Sequence, residues 1–124
     1  MKTLSLRQPW PGLITSGEKT IETRSWRTDY RGELLICSSQ KFDKNAPSYL
    51  FVNATCHIRG ETLCVVDLVD CVPMTDEHVL QASCQVYDGA WAWILENVRE
   101  VKRLPIKGQL GLFKSPYTKE QLWH

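Results

Sequence analysis

At 124 residues, 43% of them apolar and 23% charged, the chain has the size and make-up of one globular domain that buries its core without staples. Its net charge of +1 excludes a strongly basic tail and leaves any anion recognition to a local patch. No apolar run approaches the ~20 residues of a membrane span, and five cysteines with no C-x-x-C pair and no signal peptide after Met1 are expected to be reduced thiols of a cytoplasmic protein without metal or cofactor.

Leu4 and Leu6 alternate with Ser5 and Arg7, the period-two pattern of a half-buried strand. Gln8 and Pro9 end that strand, and proline suits the first turn of a helix because its missing N–H would be unpaired there anyway. Trp10, Leu13 and Ile14 fall at i, i+3 and i+4 and share one face that can dock on a core. Gly17 stands where a left-handed residue stops the helix. The next segment is dense in charge, and Lys19 is expected to belong to the turn that opens it. Thr20, Glu22, Arg24 and Trp26 then lie on one face of a strand, so three ionisable groups and an indole converge beside a helix end. Two readings fit this convergence. One is a solvated face whose ion pairs are worth under ~1 kcal/mol; the other is a ligand cleft with Gln8 and Trp10 just upstream.

Residues 27–32 read as a polar turn that closes a hairpin between the strand over 20–26 and a strand over 33–37. Leu34 and Ile36 face one way and Leu35 and Cys37 the other, so the second strand is expected to be buried on both faces. Ser38 and Ser39 end it. Pro47 rules out one continuous helix over residues 41–60, leaving a short helix or lid around Tyr49, Leu50, Phe51 and Val52. Residues 63–72 form the most hydrophobic strand, with Asp67 and Asp70 on opposite faces. One of these carboxylates is expected to turn inward, either toward Lys19 or Arg24 or onto backbone N–H groups. Thr75 reads as an N-cap with His78 three residues later, and Asp88-Gly89 as a turn. Trp91, Trp93 and Leu95 then share one strand face opposite Ala90, Ala92 and Ile94, giving either core tryptophans or an aromatic shelf for a base. Residues 104–108 are a loop or edge strand, 110–113 a last short strand, and 118–123 a short helix. Residues 99–119 carry six basic side chains against Glu100.

Four stretches share a wider pattern. They are Leu4-Ser5-Leu6-Arg7-Gln8-Pro9-Trp10, Gly17-Glu18-Lys19-Thr20-Ile21-Glu22-Thr23-Arg24-Ser25-Trp26, Arg31-Gly32-Glu33-Leu34-Leu35-Ile36-Cys37-Ser38-Ser39, and Val65-Val66-Asp67-Leu68-Val69-Asp70-Cys71. Together with Trp91-Ala92-Trp93-Ile94-Leu95-Glu96-Asn97, Pro105-Ile106-Lys107-Gly108 and Gly111-Leu112-Phe113, they resemble the ASCH domain family. Cys37-Ser38 stands where His-Ala is common in that family, and residues 40–60 match nothing in it. The resemblance implies an α+β, mainly β domain over residues 1–124: a small PUA-like mixed β-barrel with two or three short flanking helices.

Three functions follow from it. The first is a reader of RNA, single-stranded nucleic acid or a modified nucleoside. In that reading Lys19 and Arg24 meet phosphate or a base edge, Gln8 hydrogen-bonds, Trp10, Trp26 or Trp91 stacks, and Ser39 lies at the pocket mouth. The second is a hydrolase. A bacterial branch similar to ASCH domains deacetylates N4-acetylcytidine through a G-x-K-T-I-T-x-R motif, and ribonuclease activity has been proposed for other relatives. Lys19 matches the motif's lysine, but Glu22 replaces its second threonine and removes the hydroxyl nucleophile, leaving Glu22 as general base and Lys19 as electrostatic stabiliser. The third is a protein-interaction module in transcription regulation. Oligomeric state is not written in the sequence.

Overall fold

The computed structural model describes residues 1–124. Strand β1 (Lys2–Gln8) enters the middle of the molecule and is followed at once by helix α1 (Trp10–Thr15). Gly17, at φ +84°, supplies the left-handed residue that ends α1, and the chain passes through the Lys19 turn into β2 (Ile21–Arg24). The remaining strands are β3 (Gly32–Phe42), β4 (Thr62–Pro73), β5 (Trp91–Glu100) and β6 (Leu112–Lys114), with helices α2 (Val79–Ala82) and α3 (Lys119–Leu122). The six strands form one mixed sheet in the order β2-β5-β4-β3-β1-β6. Only β1 and β3 run parallel.

The fold is α+β as expected, but the sheet does not close. Its edges, β2 and β6, are not hydrogen-bonded to each other, so the expected barrel is an open, curled sheet. Residues of β1 and β2 nevertheless line one cavity, although three strands separate them in the sheet. The main-chain groups at the β2 end are instead covered by α2, where Thr20 N–H donates to Gln81 O at 2.9 Å.

The alternation of β3 places Leu34 and Ile36 in one core with Leu4, Leu6, Ile14, Val66, Leu68 and Trp93. Leu35 and Cys37 lie in a second core with Val65, Val101, Ile106, Phe113 and Leu122 of α3. A third, smaller cluster joins Ile21, Met74, Ala82, Ala90 and Ala92 under α2. Burial of β3 on both faces is thus met, and the Thr75/His78 pair forms a capping box ahead of α2.

Several local expectations are corrected. The hairpin between β2 and β3 does not form: β2 pairs antiparallel with β5, Glu22 opposite Trp93 and Arg24 opposite Trp91. The cause lies in the link after β2, where Trp26 packs edge-on against Trp93 with centroids 4.8 Å apart and draws the chain along β5 rather than back toward β3. Strand β3 does not end at the serines but runs to Phe42, because Ser38 N–H donates to Glu61 O at 3.0 Å and Phe42 continues the ladder opposite Gln8. The segment after β3 holds two 3-10 turns, Ser48–Leu50, in place of the expected short helix or lid, and Ala54–His57, which was not foreseen. Register shifts in the β4–β5 pair near Asp67 and Asp70 turn neither carboxylate toward Lys19 or Arg24. Asp67 accepts from Arg99 at 2.9 Å, and Asp70, 3.6 Å from Arg31, accepts from Cys71 N–H at 2.8 Å, the backbone alternative, while staying exposed rather than turning inward.

Candidate nucleic-acid cleft

The open side of the curled sheet holds a cleft of about 1170 Å³. Its floor is built by the turn after α1. Leu13 O accepts from the backbone N–H groups of both Glu18 and Lys19 at 3.0 Å, which folds the turn tightly and aims Lys19 inward. The Lys19 side chain is 1% exposed, donates to Ala82 O, and sits 3.5 Å from Glu22 Oε1. The other oxygen of Glu22 faces Arg24 Nη1 at 3.4 Å. Each oxygen of one buried carboxylate therefore faces a separate cation. Two buried charges survive only when paired and hydrogen-bonded, and here the Ala82 carbonyl accepts a hydrogen bond from Lys19 beside its ion pair with Glu22. Arg24, with 29% of its side chain exposed, offers the rest of its guanidinium fork to the cavity.

Trp10 stands over this floor. The Lys19 ammonium lies 5.0 Å from the centre of its ring, within cation–π range. Its indole N–H donates to Asp43 Oδ2 at 2.9 Å, which fixes the ring against the end of β3. Ser39 also lines the cleft, with its hydroxyl turned onto Lys41: it accepts from Lys41 N–H at 3.2 Å.

The geometry divides the residues singled out in the sequence. It gathers Trp10, Lys19, Glu22, Arg24 and Ser39 around one cavity and leaves Gln8, Trp26 and Trp91 outside it. Gln8 is wholly buried. Its amide donates to Thr55 O and Ile58 O, both at 2.7 Å, and its oxygen accepts from Gly12 N–H at 3.1 Å, so every arm is occupied by backbone. Trp26 packs on Trp93 with Arg24 stacked 5.8 Å from its ring. Trp91 rests against the main core, and Trp93 is fully buried within it, so no aromatic shelf faces the cavity from β5.

Tyr87, Thr23, Cys84, Arg7, Lys41 and Lys107 also line the cleft and were not singled out from the sequence. Thr23 Oγ1 and Cys84 Sγ are 3.5 Å apart. Burial pushes the Tyr87 phenol up from its ordinary value and the Glu22 carboxylate adds to the rise, against a lowering hydrogen bond with Thr23. At neutral pH Tyr87 is a neutral donor beside the ion pairs. Its place depends on the left-handed Ser83 (φ 59°) that ends α2, a bend with no glycine to signal it. In all, five cations (Arg7, Lys19, Arg24, Lys41 and Lys107) and two carboxylates (Glu22 and Asp43) line the cleft.

An open six-stranded mixed sheet whose unclosed side forms a cation-rich cleft defines the class of molecule. The ASCH domain family model matches residues 4–105, and the chain belongs to that family. It is 30% identical over 125 residues to mouse activating signal cointegrator 1 and 32% identical over 127 residues to the human protein. Each match takes in 90% of this chain but only 22% of the relative, so the chain spans about a fifth of those proteins. The crystal structure of ASCH from Zymomonas mobilis superposes with a TM-score of 0.65 at 13% identity, covering 97% of this chain and 89% of that one. A tyrosine-to-phenylalanine mutant of the same bacterial protein superposes at 0.60 with 12% identity, covering 97% and 91%. At such identities the likeness concerns the fold.

Proposed function

We propose that the cleft binds RNA or another single-stranded nucleic acid, or a modified nucleoside, by receiving a base between Trp10 and the Arg24 side of the floor. The observation that carries this reading is the pinned indole beside a cationic floor. Trp10 offers a stacking face held by Asp43, and Arg24 keeps free donors for a base edge or phosphate after pairing with Glu22. Stacking is worth ~1–3 kcal/mol per base, and planar guanidinium donors suit base edges and phosphates alike. The association of ASCH domains with RNA binding supports the same reading.

Fluorescence anisotropy with short labelled RNA and single-stranded DNA tests it. Trp10→Ala should weaken binding by the ~1–3 kcal/mol of one stacked base. Arg24→Ala should also weaken it, while Lys2→Ala, on an exposed residue away from the cleft, should not. If the wild type binds no nucleic acid or nucleoside even at low salt, the reading fails and a protein-interaction role takes its place.

The 3.5 Å Lys19/Glu22 contact favours a second reading, hydrolysis with Glu22 as base. Against it, each oxygen of Glu22 is already engaged by a cation, so neither points free at a water or hydroxyl whose proton it would take. We therefore expect little or no release of cytidine from N4-acetylcytidine and no cleavage of labelled RNA. Turnover that disappears in Glu22→Gln would establish the enzyme instead.

A further inference from the structure

We infer that the ligand of this cleft is a strand carrying phosphates rather than a free nucleoside, and that Arg7, Lys41 and Lys107 hold its backbone. The inference rests on the base-binding reading above and assigns the remaining cations of the same cavity. The charges of the cleft fall into two groups. Lys19 and Arg24 share Glu22, and Asp43 accepts from the Trp10 indole and from Asn45 N–H, both at 2.9 Å. Arg7, Lys41 and Lys107 are exposed and enter none of the molecule's ion pairs. Three unneutralised cations facing one cavity repel one another unless an anion lies between them, and spaced single charges match a phosphodiester chain.

The three come from separate segments, and the least regular of these is anchored. Ile106 N–H donates to Gly60 O at 2.9 Å, Pro105 bridges to Glu61, and Tyr117 donates its hydroxyl to Pro105 O. Gly108 packs so closely on β1 that a Cβ there would collide with Ser5 Oγ. Lys107 is thereby held at the rim, beside a wholly exposed Leu110 that also lines the cleft. The volume agrees: about 1170 Å³ exceeds the ~300–1,000 Å³ that houses a drug-sized ligand, so one nucleoside does not fill the cleft.

The experiment compares three probes on the wild type and on an Arg7→Ala/Lys41→Ala/Lys107→Ala variant whose folding is checked by its melting curve. The probes are the free nucleosides (including N4-acetylcytidine), nucleoside triphosphates, and single strands of roughly eight nucleotides, within the usual footprint of such sites. We expect the strands to bind wild type more tightly than the nucleosides. The variant should lose about tenfold or more for the strands while its nucleoside affinity stays within about twofold. Because each phosphate contact contributes about 0.7 to the slope of log K against log salt for single strands, the slope should flatten by about 2. Equal affinity for nucleoside and strand, or an unchanged salt slope in the variant, overturns this inference and leaves base binding standing. A triphosphate that binds as tightly as the strand, with the same loss, overturns the strand in favour of a free nucleotide. Absence of all binding overturns the base reading and this inference with it.

Discussion

Gln8 shows how one side chain can stand inside a functional-looking motif and serve the fold. It lies two residues before Trp10, yet its three hydrogen bonds all go to backbone: Thr55 O, Ile58 O and Gly12 N–H. Removing the amide leaves two part-buried carbonyls and one buried N–H without that partner, and a buried group orphaned in this way costs about 1–3 kcal/mol. Gln8→Leu should therefore lower stability in urea unfolding by at least that amount. At a temperature where the variant remains folded, its ligand affinity should match wild type. Weaker binding with unchanged stability would instead make Gln8 a ligand contact. The ion-paired floor was legible because Lys19, Glu22 and Arg24 are close in sequence, and a tight turn followed by a two-residue period fixes their relation. Arg7, Lys41, Tyr87 and Lys107 were not, because only long-range strand order brings their segments to one cavity.

Among the elements, α1 and the excursion after β3 are joined by a backbone contact. A Cβ on Gly12 would lie 2.6 Å from Cys56 Cα and 2.7 Å from Cys56 N, atoms of the Ala54–His57 turn that cannot rotate away as a side-chain tip can. Alanine is the better helix former by up to ~1 kcal/mol, but overpacking of this kind costs ~1–3 kcal/mol. Gly12→Ala should therefore be net destabilising, lowering the melting temperature. A higher melting temperature would mean that the Ala54–His57 turn moves aside freely. The same contact explains why residues 40–60 could not be placed from sequence. Their two turns carry no periodic apolar face and are held by Gly12 and Gln8 from outside the segment. The strands were readable because alternation reports burial, as Leu34, Leu35, Ile36 and Cys37 show by filling two cores. Their partners were not, because residues 27–32 have hairpin-like composition while the packing of Trp26 on Trp93, 67 residues apart in the chain, sends β2 to β5.

At the scale of the whole molecule, one charge network outside the cleft laces the sheet. Arg99 of β5 donates to Glu33 of β3 and Asp67 of β4, each at 2.9 Å, and Lys119 of α3 reaches Glu33. These contacts tie three adjacent strands and the C-terminal helix together. The Lys119 hydrogen bond and the two cations hold Glu33 below its ordinary value despite partial burial. For Asp67, desolvation pushes upward, but the Arg99 and Asn97 hydrogen bonds outweigh it and the net shift is again down. A carboxylate whose folded pKa is depressed stabilises the native state above its unfolded pKa, and that contribution is lost as pH falls through the folded value. The network should therefore act fully at pH 7 and weaken below about pH 5. All four side chains are partly exposed, so solvent screening keeps the total near ~1 kcal/mol. Urea unfolding of wild type and Arg99→Met at pH 7 and pH 3 measures it. The variant should be less stable by about that amount at pH 7, with the gap closing toward pH 3 as both carboxylates protonate. A gap of equal size at both pH values would show that Arg99 contributes through the packing of its methylenes, because the charge term disappears with the carboxylates while packing does not.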